Sequence, residues 1–189
     1  MSFQARNKRP RKKPEPLEEA ALYDYAVRAL GRRMRTVAEL KRLMRPKVEA
    51  GESGDAKLLV VTERLKQHGY LNDTAYAADY TRLRQENDKF GKRRVQQELA
   101  RKGVASDLVA SAIEKGYENV GEEDLARQHL ARKRISPPSN EKESARIVRQ
   151  LLRAGFSTSV IFKVLKNWRV PDETLAALET IDTDDAESE

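Results

Sequence analysis

Gly91-Lys-Arg-Arg-Val95-Gln-Gln-Glu-Leu99-Ala-Arg-Lys-Gly103-Val104, followed by Ala105-Ser-Asp-Leu-Val109-Ala-Ser-Ala-Ile113-Glu-Lys-Gly-Tyr117, reads as two short amphipathic helices joined at a glycine. Val95, Leu99 and Gly103 stand four apart, so the two apolar side chains share a helix face and the glycine ends it. The pattern returns further along the chain. Ile147, Leu151 and Gly155 keep the spacing, Phe156 takes the place of Val104, and Ile161 and Leu165 take those of Val109 and Ile113, all without a gap. A looser copy has Leu40, Met44 and Val48, then extra residues from Glu49 to Asp55 before Val61, Leu65 and Gly69-Tyr70. A recurrence of this length marks stacked helical units.

Working outward, nine helices fall into three groups. Leu17 to Arg33 opens the first, with Leu22, Tyr25, Ala26 and Ala29 on one face. Thr36 and Glu39 form a capping box for the second helix, Pro46 limits it, and Asp55 is expected to cap the third. Asn72 or Asp73 starts the second group, whose first helix runs to Arg84 and is followed by a polar turn ending at Gly91. Ser106 is expected to cap the last helix of that group. In the third group Glu122, Glu123 and Asp124 suit a helix N-terminus, and Pro137-Pro138 enforce a break. Glu143 to Ala154 is then a helix, and Thr158 caps the last. No alternating β-branched run supports a strand. The expected fold is all-α: three tandem three-helix repeats in an elongated, curved array. Its segments are a basic tail over 1–16, repeats over 17–71, 72–120 and 121–178, and an acidic tail over 179–189.

Composition agrees with long solvated helices. Charged residues make up 35% of the 189 residues and aromatics 6%, which suits several small cores better than one large one. The net charge of +7 is distributed as +5 over 1–16, −6 over 179–189 and +8 between them, so basicity belongs to the folded body. The chain has no cysteine, which removes disulfide scaffolds and thiol enzymes and suits the cytoplasm. No apolar run reaches the roughly 20 residues of a membrane span, and no secretory signal is expected.

The run Gly69-Tyr70-Leu71-Asn72-Asp73, then Tyr76-Ala77, Tyr80-Thr-Arg82-Leu-Arg84, Gly91, Arg94-Val95, Glu98-Leu99 and Lys102-Gly103-Val104 resembles the central signature of the RecX family of recombination regulators. The resemblance covers about residues 20 to 170. It implies a regulator that binds the RecA recombinase filament in its helical groove and inhibits its ATPase, strand-exchange and coprotease activities. Recombination, DNA repair and the SOS response would be modulated in consequence. A monomer without cofactor, metal or membrane association is expected, and a weak contact with DNA is left open. Two departures stand out: Pro46 and the insertion in the first repeat, and Trp168 where the second repeat has Gly116. Trp168 is expected to close the last core.

On the helix after Gly91, Val95 and Leu99 point inward, which leaves Arg93, Gln97 and Arg101 as an outer stripe with Arg94 and Lys102 beside it. In the third repeat Arg146, Arg149 and Arg153 occupy the places of Arg94, Gln97 and Arg101. A solvated face is the plain alternative at any one of these residues; recurrence at equivalent positions favours a contact surface. Arg82, Arg84, Lys92, Arg127, Arg132, Lys133 and Arg134 add charge near the turns. A second reading is a sequence-independent DNA-binding protein of helix-turn-helix type. The helix from Ser106 to Tyr117 offers Asp107, Glu114 and Lys115 but no Arg, Asn or Gln, so it cannot read base edges. An enzyme is disfavoured: His68 and His129 lack metal-ligand spacing, and Gly51-Glu-Ser-Gly54 lacks the lysine of a phosphate loop. The acidic segment 179–189 is expected to mask the basic face intramolecularly.

Overall fold

The computed structural model describes residues 15–171. The basic segment up to residue 14 and the acidic tail lie outside the described residues. Those described form nine α-helices and no strand. The helices are α1 (Glu19–Leu30), α2 (Val37–Met44), α3 (Glu52–Gln67), α4 (Asp73–Leu83), α5 (Lys92–Arg101), α6 (Ser106–Tyr117), α7 (Glu122–Arg132), α8 (Glu141–Arg153) and α9 (Thr158–Asn167). The chain divides into two compact units at Leu71/Asn72.

In the first unit α1, α2 and α3 close around Leu22, Ala26, Leu40, Met44, Val61 and Leu65, all fully buried. Local chemistry accounts for the entry to α2. Thr36 Oγ accepts from the Glu39 amide at 3.0 Å, and the Glu39 carboxylate accepts from the Thr36 amide at 3.3 Å, completing the capping box. Pro46 sits inside a single 3-10 turn, Arg45–Lys47, that ends the helix. The expected cap at Asp55 is displaced. α3 begins four residues earlier, after Gly51, so Asp55 lies within its first turn and instead pairs with Arg45.

The second unit holds two three-helix repeats on one shared core. Val95, Leu99, Leu130, Leu151, Phe156, Ile161 and Leu165 are fully buried in it, and Trp168 packs partly buried against it. Burying about seven such side chains, at roughly 1.5–3 kcal/mol each, is the main driving force for this unit. Asn72 caps α4, its Oδ1 accepting from the Ala75 amide at 2.9 Å. Asn140 caps α8 in the same way at 2.9 Å. Two expected caps shift by one residue: Ala105 precedes α6, and Ser157 rather than Thr158 caps α9, accepting from the Val160 amide at 3.4 Å.

The largest local departure follows α4. Instead of a plain polar turn, Arg84–Asp88 form a π-helical turn that ends at Lys89 with φ of +55°. The wider turn brings the Asp88 carbonyl to 3.0 Å from His129 Nδ1, and His129 is 3% exposed against Phe90 and Phe156. Within this unit Gly91 and Gly155 join the repeats. The Gly91 amide donates to the Ala154 carbonyl at 2.9 Å and the Arg93 amide to the Gly155 carbonyl at 3.3 Å.

Candidate partner-binding surface

The basic residues that the sequence singles out in the second unit separate into two populations. Arg84 and Arg94 belong to the first. Arg94 Nε donates to Glu98 Oε1 at 2.7 Å, while Arg84 Nε lies 3.1 Å from Glu98 Oε2. Tyr80 donates its hydroxyl to Glu98 Oε2 at 2.7 Å and accepts from Arg84 Nη2 at 3.0 Å. Both guanidinia also lie over the Phe90 ring. Burial disfavours the Glu98 charge, but the Tyr80 hydroxyl and the two arginines outweigh it and hold the carboxyl below its ordinary value. This cluster ties α4, the π turn and α5 together.

Other cations are also paired internally. Arg82 bridges Asp79 and Glu86 at 3.3 and 3.1 Å, and Arg127 pairs with Glu123 and, at 2.8 Å, with Asp124. Lys92 reaches Glu122 at 3.6 Å, and Arg132 reaches Asp88 at 3.4 Å. Lys102 is half-buried above the rings of Tyr76 and Tyr80. Exposed pairs of this kind contribute only about 0–1 kcal/mol each, but they neutralise charge locally.

Arg93, Arg101, Lys133, Arg134, Arg146, Arg149 and Arg153 form the second population. All seven are exposed, and none makes an ion pair among the described residues. They come from α5, the α7–α8 connection and α8. Arg94 Nη1 donates to the Arg153 carbonyl at 3.2 Å, so the end of α8 lies against the start of α5. The helical period accounts for the pairs of Arg82, Arg94 and Arg127, whose carboxylates stand three or four residues away, but not for every pair. Arg84 pairs with Asp88 four residues on and also with Glu98, fourteen residues away, and Lys92 pairs with Glu122, thirty away. The π turn is the one local device that positions Asp88 between Arg84 and Arg132.

No group of three or more His, Asp or Glu among the described residues is arranged to hold a metal, and none of their helices is long and apolar enough to cross a membrane.

Family models match two segments: that of the RecX second three-helix domain over residues 72–113 and that of its third over 121–165. A "Regulatory protein RecX" from Myxococcus xanthus is 33% identical over 172 residues, covering 84% of this chain and 89% of the relative. The chain belongs to the RecX family. The regulatory protein RecX of Leptothrix cholodnii is 32% identical, with 78% of this chain and 89% of the relative covered. That of Mycolicibacterium smegmatis is 31% identical, covering 80% and 81%. A crystal structure of RecX from Lactobacillus salivarius superimposes with a TM-score of 0.64 at 19% identity over 80% of this chain and 96% of that one. A second crystal structure of a regulatory protein RecX gives 0.66 at 21% identity, over 79% and 71%. These RecX structures support the three-helix architecture, and the relatives share the name of regulatory proteins. In this chain the glycine junction Gly91/Gly155 joins the two matched domains.

Proposed function

We propose that this chain is a cytoplasmic, monomeric regulator that binds the RecA recombinase filament in its helical groove. Binding inhibits ATP hydrolysis, strand exchange and coprotease activity, and so modulates recombination and DNA repair. The observation that carries this reading is the set of seven exposed arginines and lysines that make no ion pair among the described residues, drawn from both repeats of the second unit. Such a surface suits acidic protein and nearby phosphate. The reading also rests on membership of the RecX family.

The mechanism follows from rigidity. Two repeats with one core and a close glycine junction act as one body. A rigid body bridging neighbouring recombinase subunits opposes the rearrangements that ATP turnover and strand exchange require. No cofactor or catalytic step is needed.

Sequence-independent DNA binding is the second reading. Exposed arginines favour it, but α6 bears exposed Asp107 and Glu114 against Lys115, which opposes insertion of that helix into a groove. A parallel pull-down against recombinase filament, DNA alone and free recombinase, at low and raised salt, separates them. Preference for the filament at raised salt is expected; equal binding to bare DNA and filament at every salt would refute the regulator reading.

A further inference from the structure

The α7–α8 connection and one face of α8 enclose a cleft of about 360 Å³. Lys133, Arg134 and Arg146 line it together with Ile135, Pro137 and Ile147. The turn that builds it is a helix C-terminus with Arg134 at φ of +55°: the Arg134 amide donates to the Ala131 carbonyl at 2.9 Å and the Ile135 amide to that of Leu130 at 3.0 Å. The lining thus combines three cations with an aliphatic surface.

One carboxylate, Glu143, lines the same cleft, and it is already occupied. Its Oε2 accepts from the Ser139 amide at 2.8 Å and from the Ser139 hydroxyl at 2.9 Å, and these bonds hold its pKa below the ordinary value. A net positive charge therefore remains for a ligand. That ligand is anionic. Because the lining contains no aromatic ring on which a base would stack, a peptide fits better than single-stranded nucleic acid. The matching chemistry is a carboxylate-rich peptide with an aliphatic side chain.

We propose that the cleft is an acidic-peptide site whose occupant in the free chain is this chain's own segment Glu179-Thr-Ile181-Asp182-Thr-Asp184-Asp185. The segment sets one aliphatic side chain among four carboxylates. Its reach is sufficient. Asn167 Nδ2 donates to Glu123 Oε1 at 2.6 Å, so α9 ends beside the first turn of α7. The cleft lies beyond the last turn of α7, about 16 Å further along at roughly 1.5 Å per residue. The chain from Pro171 to Asp182 spans up to about 36 Å when extended. An acidic surface on a partner would compete for the same cleft; that consequence alone rests on the proposed regulatory function.

The absence of cysteine makes a direct test clean. In the full-length chain, Ser136→Cys combined with Thr183→Cys should form an intramolecular disulfide on mild oxidation at low salt. Adding Arg134→Glu and Arg146→Glu should cut the yield at least about fivefold. A yield that charge reversal leaves unchanged, or no cross-link at all, overturns the proposal. A second readout uses a fluorescent synthetic peptide of residues 178–187 and the full-length chain carrying Asp182→Asn, Asp184→Asn and Asp185→Asn. This chain should bind the peptide about tenfold more tightly than the wild type, whose cleft is filled, and Arg134→Glu/Arg146→Glu should remove the binding. Equal affinity for the neutralised and wild-type chains, or displacement of the peptide by a ten-nucleotide thymidine oligomer at lower concentration than unlabelled peptide, overturns it. Recombinase is absent from both readouts, so their failure is distinct from failure of the regulatory reading.

Discussion

Gly91 and Gly155 approach so closely that a Cβ built on Gly91 would lie 2.3 Å from the Gly155 carbonyl oxygen, and one on Gly155 would lie 2.3 Å from the Arg94 amide nitrogen. The contact joins the N-terminus of α5 to the C-terminus of α8. Gly155 also has φ of +89°, so it meets a steric and a conformational demand together.

Gly91→Ala and Gly155→Ala should each destabilise the second unit by about 2–4 kcal/mol, since backbone rather than a flexible side chain occupies the space. Gly69→Ala is the control. Gly69 has φ of +75° with nothing near its Cβ position, so about 1–2 kcal/mol is expected from conformation alone. Chemical denaturation of the three variants checks the ranking. A Gly91→Ala chain as stable as the wild type would remove the steric argument.

Glu98→Gln should cost about 2–3 kcal/mol, because it leaves the Arg84 and Arg94 guanidinia beside a neutral group in a half-buried setting. The acid behaviour follows from the same cluster. Glu98 is held below its ordinary pKa, so its contribution is fully present above the unfolded value, about 4.3, and is lost as pH falls through the folded one. Urea titrations at pH 7 and pH 3 should show the difference between wild type and Glu98→Gln shrinking at the lower pH.

His129 gives a second pH dependence of known sign. Burial lowers its pKa, assisted by Lys133 and Arg132 and opposed by the Asp88 carbonyl and carboxylate. Its neutral ring donates from Nδ1 to the Asp88 carbonyl. The unfolded chain therefore takes up a proton first, near pH 6.5, and stability falls below that pH until the folded value is passed. The slope is at most about 1.4 kcal/mol per pH unit for one group. Comparing the stability of wild type and His129→Gln between pH 8 and 5 tests this: the variant should lose that part of the slope.

Arg101→Glu/Arg149→Glu/Arg153→Glu should weaken inhibition of recombinase ATP hydrolysis at least about tenfold at physiological salt while leaving the circular dichroism spectrum intact. These residues are exposed and make no ion pair among the described residues, so their reversal breaks no ion pair and removes only the exposed bond from Arg101 Nε to the Gln97 carbonyl at 3.4 Å. Unchanged inhibition by the folded triple variant would dismiss the contact surface.

Thr36→Ala should cost the first unit about 1 kcal/mol, since it removes the hydroxyl that accepts from the Glu39 amide while the Thr36 amide keeps its bond to the Glu39 carboxylate. Hydrogen exchange resolved by residue should show faster opening in α2 and its neighbours Leu22 and Val61, with amides buried around Leu130 unaffected.

Much of the fold was legible because its signals are local. Val95 and Leu99 are fully buried, as are Leu151, Phe156, Ile161 and Leu165 at the repeated positions, so the spacing alone identified the inward faces. The capping box at Thr36 and Glu39 and the cap at Asn72 were equally readable, since each is complete within four residues. Asp55 and Ser106 misled for a related reason: either can cap a helix, but both helices start earlier, after Gly51 and after Ala105, which leaves both residues inside the first turn. Of the surface, the sequence carried the i,i+3 and i,i+4 partners of Arg82, Arg94 and Arg127, but not the distant ones of Arg84, Lys92 and Arg132.

What the sequence determined by itself, then, is an all-α chain of repeated three-helix units whose basicity lies in its body. Helical period, caps and glycine stops act over one or two turns and need no distant partner. The tertiary structure alone decided that Arg84 joins Arg94 at Glu98, that Arg134 and Arg146 line one cleft, and that Gly91 meets Gly155. Each of those outcomes depends on which surfaces meet when two repeats bury a common core, and contacts between residues as far apart as Gly91 and Gly155 arise only from that packing.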